Sequence, residues 1–94
     1  KKTVEELEKL LEHPHQKVRF EAQYELVNLK ADGRLAKVAK ESKNRVARLH
    51  AVWGLGQIAR KHPDAIPPLV SLLTDADAEV KRAAVELVGG VVRP

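Results

Sequence analysis

The sequence predicts an all-α solenoid of about three helical hairpins, six helices in all, and three observations carry that expectation. Three segments superimpose: VRFEAQYELVNL (18–29), ARLHAVWGLGQI (47–58) and VKRAAVELVGGV (80–91), with starts 29 and then 33 residues apart. Within each, the apolar positions fall at steps of four, four and three, as in Val18, Ala22, Leu26, Leu29 and in Ala47, Ala51, Leu55, Ile58. That spacing is one stripe of an α-helix. Composition agrees: the chain is 44% apolar yet holds one Trp, one Tyr and one Phe, so its core must be aliphatic, as suits packed helices. A hairpin this small cannot cover its own apolar face, so consecutive hairpins stack and share one core.

The elements follow in order from periodicity and punctuation. A helix is expected near 3–12, opened by a capping box between Thr3 and Glu6, and a second near 15–30. Asp32-Gly33 reads as the stop between repeats, followed by a helix near 34–41. Ser42 reads as the cap for a helix near 43–61, and His62-Pro63-Asp64 breaks the chain before one near 64–74. Asp77 is the expected N-cap of the last, near 77–91. The repeats divide at about 1–31, 32–61 and 62–94, in a single domain, because 94 residues leave no room for a second core.

The second-helix pattern V-R-x-x-A, as Val18-Arg19 to Ala22 and, modified, at Ala47-Arg48 to Ala51 and Val80-Lys81 to Ala84, follows an acidic or polar residue just before the helix. With the short hairpin period it resembles HEAT repeats of the short type also found in phycobilin-lyase subunits. The resemblance covers nearly the whole chain and implies a right-handed superhelix. More narrowly, HPHQKVRFEAQYEL and VAKESKNRVARLHAVWGLGQIAR are similar to the HEAT segment of large secreted, membrane-bound dehydrogenase-like or haem-binding proteins of planctomycetes and verrucomicrobia. That likeness implies a propeller-like dehydrogenase domain before such a segment, a cytochrome c module with C-x-x-C-H after it, and an extracytoplasmic location. On this resemblance the chain is a spacer whose chemistry lies in other domains.

The residues bound the chemistry themselves. There is no cysteine, so disulfides, zinc–thiolate sites, attached haem and a thiol nucleophile are excluded, while the compartment stays open. No apolar run approaches a membrane span, and the absence of methionine predicts a piece of a longer protein. Gly54, Gly56 and Ala59 spell G-x-G-x-x-A, the spacing of a dinucleotide-binding turn, which requires a preceding strand. Here Arg45 to Trp53 continue a helical stripe, so the glycines are expected at a tight helix contact, each costing roughly 1 kcal/mol in helix propensity.

His13, His15, His50 and His62 do not assemble a metal set, and His50 is expected to make a polar contact to a neighbouring helix. No Ser-His-Asp arrangement, paired carboxylates or phosphate loop can be placed, so neither an enzymatic activity nor a cofactor is expected. Net charge is +4, concentrated in a central belt where residues 34–61 set eight Lys or Arg against Glu41 alone. Arg34, Lys37, Lys40, Lys43, Arg45, Arg48, Arg60 and Lys61 would bind nucleic acid only if they converged on one surface. Instead they divide between first and second helices. Arg19, Arg48 and Lys81 form a column, and the HEAT resemblance implies a structural ladder between it and the preceding His15, Asn44 and Asp77; only Asp77 with Lys81 reads as a charge pair at i and i+4, so the departures at His15 and Asn44 leave Arg19 and Arg48 freer to bind something else.

Trp53 aligns with Tyr24 and Glu86, off the core stripe. It reads either as a partner anchor or as packing across an inter-repeat groove. The expected function is a non-catalytic scaffold or protein-interaction module whose second helices line the concave side, with Tyr24, Arg45, Arg48, Trp53 and Gln57 as candidate partner contacts. The alternatives are the dehydrogenase spacer and a nucleic-acid-binding solenoid. Apolar end faces make end-to-end self-association a further expectation.

Overall fold

A computed structural model describes residues 2–92. Six α-helices form three hairpins: α1 (Val4–Leu10) with α2 (Gln16–Asn28), α3 (Asp32–Glu41) with α4 (Arg45–Ala59), and α5 (Ile66–Val70) with α6 (Ala78–Val92). Among the described residues there is no strand. The expected order and pairing of helices hold, and the differences lie at helix ends and in the fifth helical stretch.

The opening capping box is present: Glu6 N–H donates to Thr3 Oγ1 at 3.1 Å, and Thr3 N–H to Glu6 Oε1 at 2.8 Å. Asp77 caps α6, its Oδ1 accepting from Glu79 N–H at 2.9 Å and Val80 N–H at 3.3 Å. Ser42 is not the cap of α4. That role belongs to Asn44, whose Oδ1 accepts from Ala47 N–H at 3.0 Å, while Ser42 ends α3 and its hydroxyl receives Asn44 N–H. Both residues are N-cap types, and the one beside the first helical residue prevails. The fifth helical stretch is broken, with 3₁₀ turns at Pro63–Ala65 and Ser71–Thr74 flanking a single α segment. Pro67 and Pro68 supply no N–H for an extended hydrogen-bond ladder there.

Asp32-Gly33 is not the stop between hairpins; both residues lie in the first turn of α3. The chain reverses instead at Lys30, which holds φ 51°. Lys30 N–H donates to Val27 O at 2.9 Å and Ala31 N–H to Leu26 O at 3.0 Å, the two bonds of a Schellman motif. The left-handed backbone costs a non-glycine residue about 1 kcal/mol. Lys30 holds the position while its ammonium reaches Asp64 of the third hairpin at 3.0 Å, an exposed pair of small worth. Lys30→Gly is therefore expected to raise Tm by about 2–4 °C in thermal unfolding. A fall in Tm would mean that the ion pair outweighs the backbone strain.

Helix α4 is the hub. It packs on α3 within its own hairpin, on α2 before it and on α6 after it, so the hairpins are joined chiefly through their second helices. Leu26, Leu35, Leu55, Leu69, Leu72 and Val80 are fully buried in one continuous aliphatic core. The two glycines of α4 admit its neighbours on different sides. A Cβ on Gly54 would lie 3.1 Å from Leu35 Cδ1 and 3.5 Å from both Gln23 and Val27. One on Gly56 would lie 2.7 Å from Leu87 Cδ2 of α6. The G-x-G-x-x-A spacing thus records two helix contacts inside one helix, with no strand or turn before it.

Candidate functional site

Each second helix turns one row of side chains outward. Along α4 this row runs Val46, Leu49, Trp53, Gln57 and Arg60, at helical steps of three and four. Phe20 and Tyr24 hold the positions in α2 that Leu49 and Trp53 hold in α4. Phe20 is 43% and Tyr24 61% exposed, large values for aromatic side chains in a domain with so few of them.

Trp53 is half-buried. Its ring is parallel to that of Phe20, with centroids 6.0 Å apart and planes within 5°. Below them lies His50, edge-on to both, with centroids 4.7 Å from Phe20 and 4.9 Å from Trp53. Trp53 therefore packs across the groove between the first two hairpins while part of its ring stays accessible. Of its two expected roles, the packing one is realised.

His50 is 2% and Gln23 5% exposed, the two buried polar side chains among the described residues. They form a directional chain across the first seam. Arg19 Nε donates to His50 Nε2 at 3.2 Å, His50 Nδ1 lies 2.8 Å from Gln23 Oε1, and Gln23 Nε2 donates to Gln57 Oε1 at 2.8 Å. Because Nε2 accepts, the proton sits on Nδ1 and the ring is neutral. Burial, then the Arg19 charge, pushes the imidazole down from 6.5 to about 4. The expected polar contact of His50 to a neighbouring helix is present, and no buried side-chain polar atom among the described residues lacks a partner.

The column of cations is also structural. Arg19 Nη1 donates to His13 O at 2.7 Å and Pro14 O at 3.0 Å, fastening the preceding loop. Arg48 donates through Nε to Ala39 O at 2.6 Å and pairs through Nη2 with Asp75, both side chains being 14% exposed. Neither arginine is left free. Asp77 pairs with Arg45 at 2.8 Å across the second seam, correcting the expected partner Lys81. Asp77 is occupied in capping α6, and its remaining oxygen faces α4; the Arg45 guanidinium there holds its carboxyl below the usual range.

The basic belt is divided likewise. Arg34 bonds Glu5 at 2.8 Å and Glu8 at 2.7 Å, so Arg34, Arg45 and Arg48 are all matched by carboxylates of adjacent hairpins. Part of the basic centre is thus engaged in inter-hairpin contacts with the acidic flanks. Of the candidate contact residues, Tyr24, Trp53 and Gln57 share the outward second-helix surface. Arg45 and Arg48 lie near the start of α4 and face the third hairpin. Sequence reading missed Phe20 and Gln23. Gln23 stands in register with Val52 and Val85, a polar residue in an otherwise apolar column, and that mismatch was the available signal.

Among the described residues no group of three or more His, Cys, Asp or Glu could hold a metal, and no helix is long and apolar enough to cross a membrane. Stacked helical hairpins with an aliphatic core and an outward row of second-helix side chains define a helical-repeat protein. A family profile for HEAT repeats matches residues 33–91, more than half the sequence, and the chain belongs to that family. Neither a curated protein nor a solved structure matches it.

Proposed function

We propose that this chain is a non-catalytic scaffold that seats a protein partner on its second-helix surface, with Trp53, Tyr24 and Gln57 as contacts and Phe20 added to them. HEAT repeats are in general interaction modules, which supports the coarse reading. The observation that carries the finer one is the Phe20–Trp53 pair, with rings 6.0 Å apart on top of a buried polar chain. Such a platform is held in place before a partner arrives, and aromatic side chains supply contact area at low entropic cost. Arg45 and Arg48 serve the partner indirectly, by fixing α4 against the third hairpin.

Affinity capture from an extract of the source organism tests this reading, with the wild-type chain compared against Tyr24→Ala and Lys37→Ala. Tyr24→Ala is expected to leave Tm within about 2 °C and to weaken capture of a specific protein at least about tenfold, while Lys37→Ala changes neither. Equal capture by all three would overturn the assignment of the surface. The nucleic-acid reading is not favoured, since Arg34, Arg45 and Arg48 are engaged by carboxylates. The family match is to HEAT repeats at large and adds no support to the dehydrogenase-spacer reading.

A further inference from the structure

The chain's one Phe, one Tyr and one Trp all lie on the second-helix surface, and none belongs to the aliphatic core. Tyr24, Trp53 and Glu86 hold equivalent positions on α2, α4 and α6, at intervals of 29 and 33 residues. Neighbouring packed helices lie roughly 8–10 Å apart, so these two aromatic positions and the carboxylate form a row with about that step. The row is also rich in hydrogen-bond donors. Gln57 Oε1 accepts from Gln23, which leaves the Gln57 amide nitrogen to face outward from an exposed side chain. Among the described residues, Tyr24 Oη and Trp53 Nε1 make no hydrogen bond within the chain. Glu86 is exposed and likewise has no salt bridge, since the neighbouring Arg82 bonds Glu79 at 3.1 Å.

We propose that this surface takes a proline-rich segment in the polyproline II conformation, with prolines three residues apart on Tyr24 and on the Phe20–Trp53 pair and a lysine or arginine three residues beyond, at Glu86. The inference rests on the interaction reading above and names the chemistry of the partner. Spacing carries it: a polyproline II helix repeats every three residues, or about 9 Å, which matches the step between neighbouring second helices. Hydrogen bonding agrees. Proline presents a carbonyl and no N–H, so the segment brings acceptors to the donors of Tyr24, Trp53 and Gln57. An α-helix would arrive with its carbonyls already bonded within itself, and an extended strand would set N–H groups against these donors. Proline-rich segments dock on aromatic-lined grooves, and a segment that is stiff beforehand loses little entropy on docking. The third position of the row is a carboxylate in place of a ring, and a cation is its complement.

Trp53 is the chain's one tryptophan, so its fluorescence reports binding directly. The probe is a capped heptapeptide with proline at its first, second, fourth and fifth positions, alanine at the third and sixth and arginine last, together with the reversed sequence. At least one of the two is expected to shift the Trp53 emission with a Kd of about 100 μM or tighter. Tyr24→Ala is expected to weaken that binding at least about fivefold. Glu86→Lys is expected to weaken it about fivefold, and a peptide with glutamate in place of arginine to recover the loss in that variant. Both positions are exposed, and each variant is expected to keep Tm within about 2 °C. No saturation by either peptide up to about 5 mM would overturn the proposal, as would equal binding of a peptide with alanine at every proline position. A dimer in sedimentation that Tyr24→Ala dissolves would overturn it too, because the occupant would then be a second copy. If the peptides fail while capture from extract still depends on Tyr24, the surface remains an interaction site and only the proline-rich occupant falls; if both fail, the surface itself is misassigned.

Discussion

Replacing Gly56 with leucine is expected to destabilise the chain by about 3 kcal/mol, the upper end of the usual range for overpacking. The position is helical, so leucine would by itself improve propensity by somewhat under about 1 kcal/mol. The clash outweighs that gain. A Cβ would meet Leu87 at 2.7, 3.0 and 3.1 Å, through Cδ2, Cδ1 and Cγ, so rotating one methyl away does not relieve it. The whole Leu87 side chain must leave its place between α4 and α6 or the seam must widen, and widening strains the Arg45–Asp77 and Arg48–Asp75 pairs that cross the same boundary. Urea unfolding of Gly56→Leu measures the loss, and stability equal to wild type would show that Leu87 does not occupy that place in solution.

Stability is expected to fall as pH drops from 6.5 towards 4, by up to about 3 kcal/mol on account of His50 alone. The imidazole titrates at about 4 in the folded chain and at the usual 6.5 when exposed by unfolding. Between those values the unfolded state takes up a proton that the folded state refuses, so the contribution is complete above 6.5 and is lost on acidification through that window. The refusal has a structural cause: Nε2 accepts from Arg19, and a second cation there would face the guanidinium inside a nearly dry seam. His50→Gln, which does not titrate, should flatten the pH dependence of urea unfolding over this range. Identical slopes for the variant and wild type would remove His50 as the source.

The helical order, the three hairpins and the seam role of Gly54 and Gly56 were legible because each depends on spacing, and spacing is fully present in the sequence. Helix ends were less so. Ser42 and Asn44 are both capping residues two positions apart, and Lys30 adopts a left-handed conformation where glycine would be expected. The charge partners were illegible for a different reason. Asp77 has Lys81 one turn away, yet bonds Arg45, which lies 32 positions earlier, because only the stacking of hairpins brings α4 within reach. Helical periodicity assigns a side chain to a face; it does not say which residue of the next hairpin that face meets.

The buried Gln23–His50 pair carries a consequence for how the hairpins are ordered. The first seam is polar and directional, and the second is closed where Leu87 packs over Gly56. Setting the third hairpin directly on the first would oppose Ala83 to Gln23 and strand a buried amide, at about 1–3 kcal/mol. The hairpins are similar in backbone but not interchangeable. Each seam acts as an address that accepts one neighbour, so the linear sequence of modules is written into their sides as well as into the chain.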